Sequence, residues 1–194
     1  MAKNKFTSVF IAFVLMMGFL RLREFFSRGR DKTSLFRIKW AFYLVFIGYL
    51  ISVLIIIFEY FLSQSRINLL ISVTGLAIFG LGFVLKNNSI SSLGKNWSFF
   101  TEIKINQDII TTGTYRYIRH PYYLSVILEL VGFSIFANAY IGLLFIIFFQ
   151  IPLLILRIYQ EEAILIKNFG QKYICYKNKI AMFVPFIKPF KNLF

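Results

Sequence analysis

Apolar stretches separated by short basic segments set the rhythm of the chain. Trp40–Leu62 and Ile67–Leu85 each supply the roughly 20 apolar residues that a membrane-crossing helix needs. Phe6–Leu20 is shorter, but Leu22, Phe25 and Phe26 extend it while Arg21 and Arg23 snorkel, so a first span is expected over about 6–22. Arginines follow this core where a signal peptidase would need small residues, so the segment reads as a retained anchor. Tyr122–Arg157 is longer than one span and carries Ala137-Asn138-Ala139 near its middle. It predicts two short helices, about 122–137 and 140–157, in a tight hairpin. The expectation is a single-domain, all-α integral membrane protein over residues 1–194, with five transmembrane helices.

Two polar segments remain, the loop Asn87–His120 and the tail after Arg157, and the cofactor-binding region is expected in them, over 97–123 and 157–185. In the loop, Glu102–Asn106 alternates like a strand, Asn106–Asp108 can turn, and Ile109–Thr112 is extended in propensity, so a small hairpin is expected. In the tail, Ile164, Leu165, Phe169, Tyr173 and Tyr176 recur at helical spacing among lysines, which suits a helix at the membrane interface. The run Phe183–Phe190 alternates aromatics with prolines and cannot be helical throughout.

Composition strengthens the membrane reading and charge orients it. The chain is 58% hydrophobic, more than one soluble core can hide. Its net charge of +14 does not point to nucleic acid, because the basic residues lie in short segments between apolar runs rather than on a recognition motif. Arg21–Lys39, Lys86–Arg119 and Arg157–Lys191 carry 7, 5 and 7 Lys and Arg, whereas the opposite side holds only Lys3, Lys5 and Arg66. That asymmetry puts the C-terminus, the loop and the tail in the cytoplasm, beside anionic head groups, and the N-terminus outside. One cysteine, Cys175, excludes an intramolecular disulfide, and with one histidine no protein-only zinc site is expected.

The single histidine lies in GTYRYIRHPYY, residues 113–123. Pro121 fits the first turn of the fourth span, which leaves His120 at the cap and free N–H groups facing the cytoplasm. Arg116 and Arg119 add positive charge, the tyrosines offer π faces to a cation, and Gly113 permits the bend into the segment. Aromatic-belt packing alone would also account for such residues. At the other end of the hairpin, Arg157 and Glu161 are four apart and share a helix face near His120. A surface ion pair there would be worth only about 0.3–0.5 kcal/mol, and Arg-before-Glu is its poorer order, so a ligand between the two is the better account.

In order, Gly113-x-Tyr115-x-x-x-Arg119-His120-Pro121-x-Tyr123, then Arg157-x-x-x-Glu161-Glu162, then Phe169-Gly170-x-x-Tyr173-x-x-Tyr176 and Pro185 resemble the isoprenylcysteine carboxyl methyltransferase family. These membrane enzymes use S-adenosylmethionine and are related to phospholipid N-methyltransferases. The resemblance covers Trp97 to Pro185. It implies cofactor contacts from Gln107, Asp108, Ile109, Ile110, Tyr115, His120, Pro121, Tyr122 and Tyr123, and from Glu161, with Glu162 as the alternative register. It implies that Arg157 meets the substrate carboxylate and is the residue on which catalysis turns, with Arg119 as a second substrate-binding candidate. Tyr122 stands where the eukaryotic enzymes usually have a smaller residue, and this chain is shorter than theirs.

The implied reaction moves a methyl group from the cofactor to the carboxylate of a lipid-like acceptor, such as a prenylated cysteine, entering from the bilayer. A carboxylate is already ionised at neutral pH, so the reaction needs positioning and desolvation rather than a general base. Phospholipid N-methylation is one alternative, although an amine acceptor would need a base. A sterol-reductase-like enzyme with a similar Arg-His-Pro-x-Tyr pattern, using NADPH, is another; a non-enzymatic membrane adaptor is a third. Glu129, inside the fourth span, is expected to hydrogen-bond across the hairpin near the level of Gln150.

Overall fold

The computed structural model describes residues 2–26, 34–38, 40–63, 67–94, 97, 101–104 and 108–184. The single domain expected over the whole chain divides into two compact units, Met1–Ser34 and Leu35–Phe194. The first is built on one helix, α1 (Ala2–Phe26).

The second unit holds α2 (Trp40–Leu62), α3 (Leu69–Leu93), α4 (Pro121–Phe136), α5 (Tyr140–Phe145), α6 (Ile151–Phe169) and α7 (Gln171–Lys179). Large apolar side chains stand outward on these helices, Leu54 63%, Leu70 74% and Phe148 68% exposed, as lipid-facing side chains do. Among the described residues four helices, counting α1 and taking Tyr140–Phe169 as one, are long and apolar enough to cross a membrane. α4 has only 16 residues, about 24 Å of helix against an apolar layer of about 30 Å. α3 runs about two turns past the expected end at Leu85, and α6 carries on past Arg157 to Phe169.

Lipid is as apolar as leucine, so helices in a membrane associate through close packing and buried polar bonds. Glycines provide the close approach between α3 and α4. A Cβ on Gly75 would come within 2.2 Å of the Phe136 nitrogen, and one on Gly132 within 2.4 Å of the Phe79 nitrogen. Near the same seam, Lys86 Nζ lies 2.9 Å from Glu129 Oε1, both side chains buried. This replaces the bond expected between Glu129 and the level of Gln150. Gln150 instead donates from Nε2 to the Val45 carbonyl of α2 at 3.2 Å.

Between α5 and α6 the chain widens into one π turn, Ile146–Gln150, where the Ile151 N–H reaches the Ile146 carbonyl. Pro152, which follows, has no N–H to give and its ring would strike a carbonyl four residues back; the wide turn absorbs the mismatch. The far end of α4 is tied by polar bonds. Asn138, with φ 55°, accepts from the Asn68 N–H at 3.1 Å and donates to Ser72 Oγ at 2.7 Å. The Glu59 carboxylate of α2 accepts from the Ile141 and Gly142 N–H groups at 3.0 and 2.9 Å, capping α5 where its dipole favours an anion.

The expected loop hairpin takes a different form. β2 (Thr101–Lys104) does form, but it pairs with β1 (Ser34–Ile38). Residues 108–112 are irregular, and Asp108 reaches Lys172 of the tail. Nor is the tail one helix: Gly170, at φ 53°, ends α6 and starts α7 in a new direction.

Candidate functional site

Gly113 opens the site. It takes φ 61°, a left-handed value that favours glycine, and a Cβ there would fall 2.2 Å from Ser92 Oγ of α3. One 3₁₀ turn, Gly113–Arg116, follows, and the chain then straightens into His120, the N-cap of α4, with Pro121 at its first position. The tail holds this entry from behind. The Arg119 N–H donates to the Ala181 carbonyl at 2.9 Å and the His120 N–H to that of Met182 at 3.2 Å, while Tyr176 donates its hydroxyl to the Tyr115 carbonyl at 2.6 Å. Arg119 adds side-chain bonds to the Lys177 and Ile180 carbonyls.

The two adjacent glutamates face different surroundings. Glu162 is buried and gathers nitrogen groups: His120 Nε2 at 3.0 Å and Arg119 Nε at 3.1 Å on one oxygen, Lys177 Nζ at 2.8 Å on the other. A buried carboxylate is tolerable only when compensated in this way. Glu161, half-buried, accepts a 2.5 Å hydrogen bond from the Tyr123 hydroxyl. That hydroxyl in turn accepts from Arg157 Nε at 2.9 Å. Arg157 is buried, its guanidinium 5.4 Å from the Phe42 ring centre and 5.6 Å from that of Tyr123.

The aromatic residues gather around Glu161. Tyr122 meets Trp97 and Tyr123 edge-on at 5.8 and 5.9 Å, and Tyr173 lies 5.9 Å from Tyr176. Burial, with the Glu161 charge nearby, raises Tyr115 above the ordinary phenol value. Burial also pushes Tyr176 up to about 12. Both therefore stay neutral hydroxyls at physiological pH. The group set is one carboxylate, one guanidinium and several aromatic faces at a helix start, which suits a cationic, zwitterionic ligand beside an anionic one.

Arg157, Glu161 and Tyr123 thus form one chain of hydrogen bonds, while Glu162, His120 and Arg119 form a second, internal knot. Tyr115 and Tyr122 flank the first chain, half-buried. Asp108 is at the surface, 2.7 Å from Lys172, which holds its carboxyl below the usual range; Ile109 and Ile110 are half-buried beside it. Gln107 lies outside the described residues. Two participants gave no signal in the sequence, Lys177, fifteen positions from Glu162, and the aromatic partner Phe42; Trp97 opens the expected region, but nothing there marked its contact with Tyr122. Lys86 could have been noticed, as a lone cation closing an apolar run. Among the described residues no group of three or more His, Cys, Asp or Glu side chains is placed to hold a metal.

The model of the isoprenylcysteine carboxyl methyltransferase (ICMT) family matches residues 73–167 of this chain. The chain is similar to this family over that stretch. Protein-S-isoprenylcysteine O-methyltransferase of Schizosaccharomyces pombe is 25% identical over 197 residues, covering 90% of this chain and 83% of the relative. The same-named protein of Saccharomyces cerevisiae is 31% identical over 127 residues, 64% of this chain and 53% of its own length. That of Tribolium castaneum is 30% identical, and only 42% of its length is spanned. Among solved structures, a eukaryotic intramembrane Ras methyltransferase, ICMT, superposes with a TM-score of 0.59 at 28% identity, over 75% of this chain and 53% of that one. With the apolar helices, this likeness makes the chain an integral membrane protein. The ICMT match includes both glutamates, Arg157 and the His120 entry, and it stops short of α7 and the carbonyls that Arg119 engages.

Proposed function

We propose that this protein transfers a methyl group from S-adenosylmethionine to the carboxylate of a lipid-like acceptor, such as a C-terminal prenylated cysteine, at the cytoplasmic membrane face. The observation that carries the reading is the chain Arg157–Tyr123–Glu161 in an aromatic setting at the start of α4, within the stretch that matches the family. When bound, S-adenosylmethionine supplies an electrophilic methyl group on a cationic sulfur. The donor set fits it: Glu161 for its polar hydrogens, and Tyr115, Tyr122 and Tyr123 as π faces beside the sulfonium. Asp108, Ile109 and Ile110 would add contacts from the loop, and His120 and Pro121 fix the helix start.

Arg157 is the group we assign to the acceptor carboxylate. Its fork can pair with both oxygens of a carboxylate, and its burial makes that pair worth more than one in water. No general base is required, in keeping with the engagement of His120 by Glu162. The bonds of Arg119 to Glu162 and to tail carbonyls favour a positioning role for it over contact with the acceptor. Glu162 likewise reads as the anchor of the knot, leaving Glu161 as the cofactor carboxylate.

We read five spans, α1 to α4 and α5 with α6, with the N-terminus outside. The turn at Asn138 and the distribution of basic residues support this, and the short α4 is served by local thinning of the bilayer. Two measurements test the reading. S-adenosylhomocysteine at a hundredfold excess over Kd should stabilise the purified protein by about 2.7 kcal/mol while NADPH does nothing; protection by NADPH alone would sink it. Cysteines introduced at Ser63 or Asn138 should be labelled from outside intact cells by an impermeant reagent, and one at Ser92 should not.

A further inference from the structure

The Tyr123 hydroxyl occupies a position that neither binding role explains by itself. It is bonded on one side to Arg157 and on the other to Glu161, at 2.9 and 2.5 Å, and its residue is 8% exposed. Chemistry fixes the direction of this chain. A guanidinium only donates and an ionised carboxylate only accepts, so the phenol's one proton must go to Glu161 and its oxygen must accept from Arg157. Such chains are cooperative: each bond polarises the next, most strongly where water is excluded.

We propose that Tyr123 couples the two halves of the site, so that occupancy of Glu161 raises the affinity of Arg157 for a carboxylate; this rests on the methyl-transfer reading above. With the site empty, the full charge of Glu161 pulls on the phenolic proton, which makes the phenol oxygen a strong acceptor and binds Arg157 inward. Donors arriving at Glu161 from the cofactor share that charge. The pull on the phenol weakens, its oxygen becomes a poorer acceptor, and the Arg157 N–H is released to an incoming acceptor. The reverse holds as well: a carboxylate that draws Arg157 away leaves the phenol a weaker donor, and Glu161 turns more readily to the cofactor. Linkage requires the two effects to be equal. The acceptor is therefore gripped best over a loaded cofactor site, which limits unproductive occupation by anionic lipid.

The test is calorimetric and uses the full chain in lipid nanodiscs. S-adenosylhomocysteine is titrated with and without a saturating farnesylated-cysteine analogue. Wild type should bind it about fivefold more tightly when the analogue is present. In Tyr123→Phe that ratio should fall to one, whatever happens to each affinity singly. A residue that merely packed would weaken one or both affinities and leave their ratio intact. Glu161→Gln, which keeps the shape but not the charge, should lower the ratio too, and it stands in if Tyr123→Phe does not fold. A wild-type ratio of one with both ligands bound, or a fivefold ratio surviving in either variant, overturns the coupling while leaving the methyl-transfer reading in place. Failure of wild type to bind S-adenosylhomocysteine at all overturns both.

Discussion

Replacing Glu129 with glutamine leaves the Lys86 ammonium, 6% exposed, without the carboxylate that faces it at 2.9 Å. Breaking a buried ion pair from one side typically costs about 3–5 kcal/mol, because the remaining charge keeps its desolvation penalty. For a chain of 150–250 residues, each kcal/mol moves Tm by about 2–4 °C, so the loss should be roughly 6–20 °C. Lys86→Met should cost a similar amount. The double variant, Lys86→Met with Glu129→Leu, removes both penalties and should return to within a few degrees of wild type or exceed it. Thermal unfolding of the detergent-purified protein, followed by fluorescence-detected size exclusion, gives all four midpoints. The same preparations, assayed for methyl transfer below their midpoints, should keep wild-type turnover if the pair only holds α3 to α4. The reasoning is refuted if the single variants shift Tm by less than about 2 °C, or if the double variant loses as much as the two singles added.

Two further substitutions address the site. Glu161→Gln should weaken S-adenosylhomocysteine binding roughly ten- to a hundredfold, whereas Arg157→Ala should remove most turnover and change that affinity far less; equal losses in calorimetry would make the two residues one cofactor clamp. Gly113→Ala forces a side chain onto φ 61° and against Ser92 Oγ, so turnover should fall at least tenfold while membrane insertion stays normal; unchanged kinetics would show that the bend yields at no cost.

The apolar helices were legible because an apolar run of span length has few other solutions, and the turn at Asn138 because small and polar residues interrupt such a run. The hydrogen-bonded core of the site was half legible. Arg157 and Glu161 share a face by helical periodicity, and Tyr123 follows His120 and Pro121 in the motif. The bridge through the Tyr123 hydroxyl, however, depends on how far α4 stands from α6, which no local pattern encodes. The choice between Glu161 and Glu162 stayed open for a related reason: neighbours on a helix differ by about 100° in direction, and only the packing of α7 shows which of them meets Lys177. Alternation over Glu102–Asn106 marks a strand, which the structure shows at Thr101–Lys104, but its partner is β1 rather than Ile109–Thr112, because alternation does not name a neighbour.

The backbone bonds from Arg119 and His120 to Ala181 and Met182 also bear on how the protein comes to be active. A ribosome makes the chain from its N-terminus, and α4 can enter the membrane long before residues 177–182 exist. Until those residues emerge, Glu162 lacks Lys177 and the start of α4 lacks its backing. The surroundings of Glu162 and the start of α4 are thus completed only after residues 177–182 have been made. A premature stop or a proteolytic nick in α7 would therefore leave every apolar helix in the chain and strip the site proposed above of its backing, a loss that no test of membrane insertion alone would reveal.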